Sequence, residues 1–192
     1  EIYWCFVFEG EHVSPASLPG MAERTVVING LSKSHAMTGW RVGFLAAPPA
    51  LARTVASMKD HLSSNIAAPS QHAALAALKA GSGHTETMAV AFRRRRDLAC
   101  EALEAMPGVN LVRPQGAFYV FPRVDSLYGG DITGSVDLCR ELLEQERLAA
   151  VPGAAFGEDR CIRLSIATAD EQIQEGLARM ARCLGRRAEH VG

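Results

Sequence analysis

Lys33 and Arg41 share the run Asn29-Gly30-Leu31-Ser32-Lys33-Ser34-His35-Ala36-Met37-Thr38-Gly39-Trp40-Arg41-Val42-Gly43. A primary amine and a guanidinium on one short loop suit a ligand that carries both an aldehyde and a phosphate. The amine condenses with the aldehyde, and the planar fork takes two phosphate oxygens at once. An arbitrary lysine is a solvated surface charge. Lysine is scarce here, however: Lys33, Lys59 and Lys79 stand against seventeen arginines. Arginine cannot lose its proton to form a Schiff base, so position 33 reads as one that requires an amine. A further cation, Arg163, interrupts the strand-like stretch Ile162-Arg163-Leu164-Ser165-Ile166. A charge among apolar neighbours needs an anionic partner, either a structural carboxylate or one on a ligand. Arg160, nearby, reads as a surface residue.

These side chains need elements to hold them. Thr25-Val26-Val27-Ile28 is a short apolar stretch and reads as a buried parallel strand. Lys33 then lies at the carboxyl end of a strand, where open α/β sheets place their chemistry. A second strand is expected near 42–47. Pro48-Pro49 breaks the chain before a helix over 50–57, and 62–69 is a polar loop of small residues. Helices are expected over 71–79 and about 85–106, parted by Gly81-Ser82-Gly83. In the second, Met88, Phe92, Ala99, Leu103 and Met106 fall on one face and read as core. The basic run Arg93 to Arg96 reads as a solvated face of that helix. Beyond Pro107-Gly108, strands over 109–112 and 117–121 read as a hairpin. A helix near 136–146 follows, then strands near 148–151 and 161–166 on either side of Pro152-Gly153. Thr168 and Glu171 form a capping box for a last helix, with Gly185 as its stop and Arg186 and Arg187 at its negative end.

The 192 residues can build one or two domains with a sizeable core. A net charge of −1 gives no electrostatic case for nucleic acid or an anionic membrane. No stretch approaches 18 apolar residues, and no signal peptide opens the chain. Cys5, Cys100, Cys139, Cys161 and Cys183 are odd in number, widely spaced and not grouped with histidines. That argues against a disulfide framework or a zinc site and for a reducing, cytoplasmic compartment.

Ser32-Lys33 followed by Met37-Thr38-Gly39-Trp40-Arg41-Val42-Gly43 resembles the pyridoxal-phosphate lysine segment of class I/II aminotransferases of fold type I. Other segments resemble the family in the same order. Glu1-Ile2-Tyr3 is similar to the tail of its Asp-x-x-Tyr segment. Pro114-Gln115-Gly116-Ala117-Phe118-Tyr119-Val120-Phe121-Pro122 is similar to the strand entering the small domain. Val151-Pro152-Gly153-Ala154-Ala155-Phe156-Gly157 and Ile162-Arg163-Leu164-Ser165-Ile166-Ala167 resemble the substrate-carboxylate segment. The resemblance implies an α/β fold: the end of the large domain's mixed sheet with its linking helix over 1–100, then a small α+β domain over 101–192. It implies transfer of an amino group between an amino acid and a 2-oxo acid, with pyridoxal 5'-phosphate as cofactor, in a homodimer. Lys33 would be catalytic, Lys33, Arg41 and Tyr3 would bind the cofactor, and Arg163 would bind the substrate α-carboxylate. Ser32 and Gly30 add a hydroxyl and an N–H. Part of the family has Ser or Thr at the position of Gly30, a hydroxyl this chain lacks.

The resemblance covers the second half of the family's chain. The family's pyridinium-binding aspartate would precede Glu1, and its glycine-rich phosphate loop, ring-stacking aromatic and asparagine lie further upstream. Residues 1–192 alone are therefore expected to be catalytically silent and to bind the cofactor weakly. Two other readings stay open: a β-eliminating lyase or decarboxylase of the same fold, and a non-catalytic truncated partner. The loop over 62–69 resembles a segment that approaches the partner subunit's site, and it carries no arginine for a second carboxylate. The wording around Lys33 is similar to that of broad bacterial aminotransferases for aromatic, acidic or diaminopimelate-type amines.

Overall fold

The computed structural model describes residues 1–191, with the side chains of the last helix described through Arg187. The chain divides into two compact units, Glu1–Ala89 and Val90–Gly192.

In the first unit β1 (Val27–Gly30) pairs antiparallel with β2 (Gly43–Ala46), Val27 opposite Ala46 and Gly30 opposite Gly43. The apolar run thus ends in a strand that is neither parallel to its partner nor covered: Ile28 is 67% and Phe44 51% exposed. The cause is the connection. A parallel return needs a long crossover, and 31–42 holds only the one-turn α1 (Leu31–Ser34) and a 3-10 turn, Thr38–Trp40, so the chain doubles back. α2 (Pro49–Leu62) outruns the expected helix, starting on a proline whose missing N–H has no helical partner to lose. α3 (Ala68–Lys79) backs the connection: Leu31, Met37 and Ala74 form a buried cluster, with Val42, Ala73 and Ala77 packed on it. α4 (Gly83–Glu104) starts in this unit and ends in the second.

The second unit is built on β3 (Tyr119–Val120), β4 (Val151–Pro152) and β5 (Ile162–Ser165), in the antiparallel order β3-β5-β4. The expected hairpin over 109–121 is absent. Asn110 and Arg123 meet in one bridge, exchanging N–H···O bonds of 3.0 and 2.8 Å, and β3 pairs with β5 instead. Ala117, at a left-handed φ of 61°, breaks the extended run before it can fold back on 109–112. Pairing puts Tyr119 opposite Ser165 and Val151 opposite Arg163. Strand alternation therefore gives Tyr119, Arg163 and Ser165 one face and Val120, Ile162 and Leu164 the other. Val120 and Ile162 are buried, together with Leu103 of α4, Leu138 and Leu142 of α5 (Ser135–Glu146), and Met180 and Leu184 of α6 (Asp170–Val191). Each such side chain contributes about 2 kcal/mol by leaving water.

Charges tie these helices together more than their patterns suggest. Of the basic run in α4, Arg94 and Arg95 hold Asp170 in the first turn of α6, Arg95 Nε donating to Oδ1 at 2.9 Å. The Arg95 hydrogen bond, opposed next by burial and then assisted by the charges of Arg94 and Arg95, keeps the Asp170 carboxyl below the ordinary aspartate range. Arg96 is buried, with Nη1 donating to Pro114 O at 3.0 Å and Nε to Asp97 Oδ1 at 2.9 Å. Half of the expected solvated face is thus packed against other segments. The expected capping box does not form either. Thr168 bonds the Gln172 side chain, and α6 opens on Asp170. α6 runs through Gly185, while Arg186 and Arg187 reach across to Glu146 and Glu141 of α5 instead of closing the helix.

Candidate active site

Gly30 ends β1 and the chain turns at once into α1, so Lys33 sits half-buried on the turn that leaves the strand. Backbone bonds fix this turn. Leu31 N–H donates to Val42 O (3.2 Å), while His35 and Met37 N–H donate to Leu31 O (3.1 and 3.3 Å). The Thr38 hydroxyl donates to Ser32 O at 2.9 Å and draws the 3-10 turn onto α1. Arg41 follows at φ 56°, ψ 44°, and its Nη1 donates back to Thr38 O at 3.0 Å. Ala36, at φ 52°, is a second left-handed residue in the same connection. Each costs about 1 kcal/mol, strain that the surrounding bonds must hold.

Lys33 and Arg41 are therefore presented by one strand-to-strand connection hung on the Leu31–Met37–Ala74 cluster. Arg41 is exposed and lines a groove of about 420 Å³ with Trp40, Lys59, Ser63, Asn65 and Ser70; Lys33 is not part of its lining. The donor set fits an aldehyde bearing a phosphate: an amine and, among the described residues, a guanidinium without a carboxylate partner and a Ser32 hydroxyl without a bond partner. The hydroxyl missing at position 30 has a steric cause. A Cβ on Gly30 would lie 2.9 Å from Val42 O and 3.1 Å from Gly43 Cα. Tyr3 is half-buried in a turn closed by Trp4 N–H to Glu1 O (3.1 Å) and Phe6 N–H to Tyr3 O (2.9 Å). The Glu1 amino nitrogen bonds Ile28 O at 2.7 Å, which places the Tyr3 turn alongside β1.

A feature that no local pattern announces backs the Lys33 turn. The His35 and His84 rings lie 4.6 Å apart, His35 Nδ1 is 2.8 Å from the Ser34 hydroxyl, and Thr85 Oγ1 donates to Ser34 O at 3.0 Å. The first turn of α4 is thereby tied to the end of α1. Burial first, and the neighbouring imidazole second, push the His35 pKa down.

Arg163 belongs to the second unit, and its surroundings differ from those of other arginines there. Arg160 forks onto Glu158 (Nε–Oε1 2.7 Å, Nη2–Oε2 2.5 Å), and that fork holds the Glu158 carboxyl down to about 2. Arg163 has no such partner: among the described residues its guanidinium makes neither ion pair nor hydrogen bond. It lies over the Tyr119 ring and over the Phe156 ring, 4.5 Å from each centroid. The two rings come from separate segments, β3 and the turn Gly153–Phe156, and neither local pattern marks them for a role. Chemically the arrangement is a cation with its faces occupied by rings, ready for an anion in its plane. Among the described residues no group of three or more potential metal ligands occurs, and no helix is long and apolar enough to cross a membrane.

Comparison with known proteins shows the family of the chain. The family model for aminotransferase class I and II matches residues 1–180. An aspartate aminotransferase of Pinus pinaster is 44% identical over 96% of this chain and 39% of its own length. A probable aspartate/prephenate aminotransferase of Aquifex aeolicus is 41% identical over 96% of this chain and 48% of its own. The crystal structure of an aspartate aminotransferase from Rhizobium meliloti superposes with a TM-score of 0.90 at 35% identity, covering 96% of this chain and 48% of that one. The chain thus spans about half the length of the relatives it matches, or somewhat less. With the family model matching residues 1–180 and the fold shared with solved aminotransferases, this chain belongs to the class I and II aminotransferases.

Proposed function

We propose that the protein containing these residues moves an amino group between an amino acid and a 2-oxo acid, and that it acts in the cytoplasm as a homodimer. The observation that carries the reading is the Lys33–Arg41 connection, set in a chain whose relatives bear aminotransferase names over 96% of its length. Class I and II aminotransferases depend on pyridoxal 5'-phosphate. When bound, that group supplies an aldehyde to receive the amino group and a conjugated ring to take up the electrons released at the substrate Cα.

The chain's own residues supply the rest. Lys33 would hold the cofactor through its amine; once displaced, the same Nζ would take the proton from Cα and return it, a task that needs an amine able to cycle its proton. Arg41 pairs with the phosphate, joined by the Ser32 hydroxyl, and keeps the group from leaving with product. The Tyr3 hydroxyl would donate to the cofactor's phenolic oxygen. Arg163 takes the substrate α-carboxylate in a two-pronged pair, fixing Cα for proton transfer. Residues 1–100 form the end of the large domain and 101–192 the small one, with α4 crossing that boundary. Free cysteines throughout fit a reducing compartment. Aspartate is the donor to test first, because the Pinus and Rhizobium relatives carry that name.

The test is a half-reaction. The full-length holoprotein is mixed with aspartate alone, then with 2-oxoglutarate alone. An aminotransferase leaves the cofactor in its amine form after the first step and restores it in the second. Release of ammonia or carbon dioxide with the cofactor unchanged would instead assign a lyase or a decarboxylase.

A further inference from the structure

The guanidinium of Arg163 is unusual for what touches it. Arg94, Arg95, Arg96, Arg123 and Arg160 each hold a carboxylate in the same unit. Arg163 is met by two aromatic rings at equal distance, 4.5 Å to either centroid. Neither ring is loosely placed. Tyr119 sits on β3 in register with Ser165, two residues along the strand face from Arg163, and its ring lies 4.9 Å from that of Phe118. Phe156 ends the 3-10 turn Gly153–Phe156 and meets Phe121 edge-on at 6.0 Å. That turn depends on Gly153: a Cβ there would lie 2.2 Å from both Cys161 O and Glu158 O. The backbone thus goes to a close approach that only glycine permits, and the outcome is a half-exposed phenyl ring over the Arg163 guanidinium.

An arginine side chain has many rotamers, and a flexible cation gives up that freedom when an anion captures it. Rings over the guanidinium remove the freedom beforehand while leaving its in-plane N–H donors unbonded. A carboxylate could have pinned the group too, but it would have consumed those donors, as Glu158 does for Arg160.

We propose that Tyr119 and Phe156 are positioning residues for transamination: they hold Arg163 edge-on to the α-carboxylate of the amino acid and of the 2-oxo acid. The inference rests on the assignment of Arg163 as the carboxylate site. It adds that affinity for the carboxylate depends on the two rings and that the hydroxyl of Tyr119 is dispensable.

The full-length holoprotein and its variants Tyr119→Leu, Phe156→Leu, Tyr119→Phe and Arg163→Ala test this. One readout is calorimetric titration with 2-methylaspartate, which has no α-hydrogen to lose; the other is KM against kcat for aspartate. Each leucine variant should weaken 2-methylaspartate binding and raise KM about tenfold, with the double variant near a hundredfold. Cofactor absorbance and kcat should change far less, and Tyr119→Phe should behave as wild type. Leucine variants that bind as tightly as wild type, while Arg163→Ala does not, would overturn the clamp and leave the carboxylate assignment standing. A Tyr119→Phe variant as weak as Tyr119→Leu would also overturn it, since the hydroxyl would then be the active part. If Arg163→Ala binds 2-methylaspartate normally, the carboxylate assignment itself fails, and the clamp with it. Phe156 is half exposed, so its truncation removes little core and tests the proposal even where Tyr119→Leu does not fold.

Discussion

The Lys33 turn and the Arg163 strand each fix a basic side chain, but by different means. Lys33 and Arg41 are placed by backbone: short turns, left-handed residues and N–H···O bonds back to Leu31 and Thr38. Arg163 is placed by side chains, in a unit where nearby arginines are paired with acids and the core is closed by α4, α5 and α6. The first unit leaves Ile28, Phe44, Leu75 and Leu78 exposed. Position set by backbone tolerates changes in neighbouring side chains but not in conformation. Position set by packing tolerates the reverse.

The sharpest break between the two regions is chemical. Lys33→Ala should cost the full-length enzyme at least about 10⁴-fold in turnover, since covalent attachment and proton transfer are lost together. Borohydride reduction and peptide mapping should place the pyridoxyl group on Lys33; a label on Lys59 or Lys79 would sink the assignment. Arg163→Ala should lower kcat/KM for amino acids about a hundredfold with the cofactor still bound. Arg160→Ala should leave turnover near wild type, and the opposite ranking in steady-state assays would mean the wrong arginine was chosen. Arg41→Ala should act on the cofactor rather than the substrate, raising its dissociation constant about tenfold in an equilibrium titration. An unchanged constant there would move the phosphate elsewhere.

The smallest effect is one of pH. The native His35 pKa lies below the ordinary imidazole value of 6.5, through burial first and His84 second. The unfolded chain therefore binds this proton at a higher pH than the native one does. The stability from the neutral ring pair is present above 6.5 and is lost as the pH falls through the lower native value. Melting temperature should decline on acidification through that window, and His35→Phe should flatten the decline. A variant that melts with an unchanged pH slope would remove the ring pair from the account.

The contrast also shows what could be read in advance. The Lys33 turn was legible because it is contiguous: strand, amine, turn and arginine lie in one run of sequence. Arg163 was legible as a charge in an apolar strand, but its clamp was not, because Tyr119 and Phe156 come from separate segments joined only by sheet pairing. The direction of β1 was misread for a physical reason. An apolar run signals burial against something, and the pattern alone does not say which strand lies beside it or whether this chain supplies the cover. Arg96 was misread likewise: a basic run looks solvated until the carbonyl of Pro114, from another segment, takes one of its members.

Gly30 sets the spacing of a strand pair. Facing Gly43 across the strand pair, it has room for no Cβ beside Val42 O and Gly43 Cα. A serine or threonine there, as in part of the family, demands that β2 first move away at its opening residue. Both contacts are with backbone, so no change of a neighbouring side chain relieves them. The gap between the two strands is thus set by a side chain that is missing, and widening it is the first thing any residue larger than glycine at 30 would do.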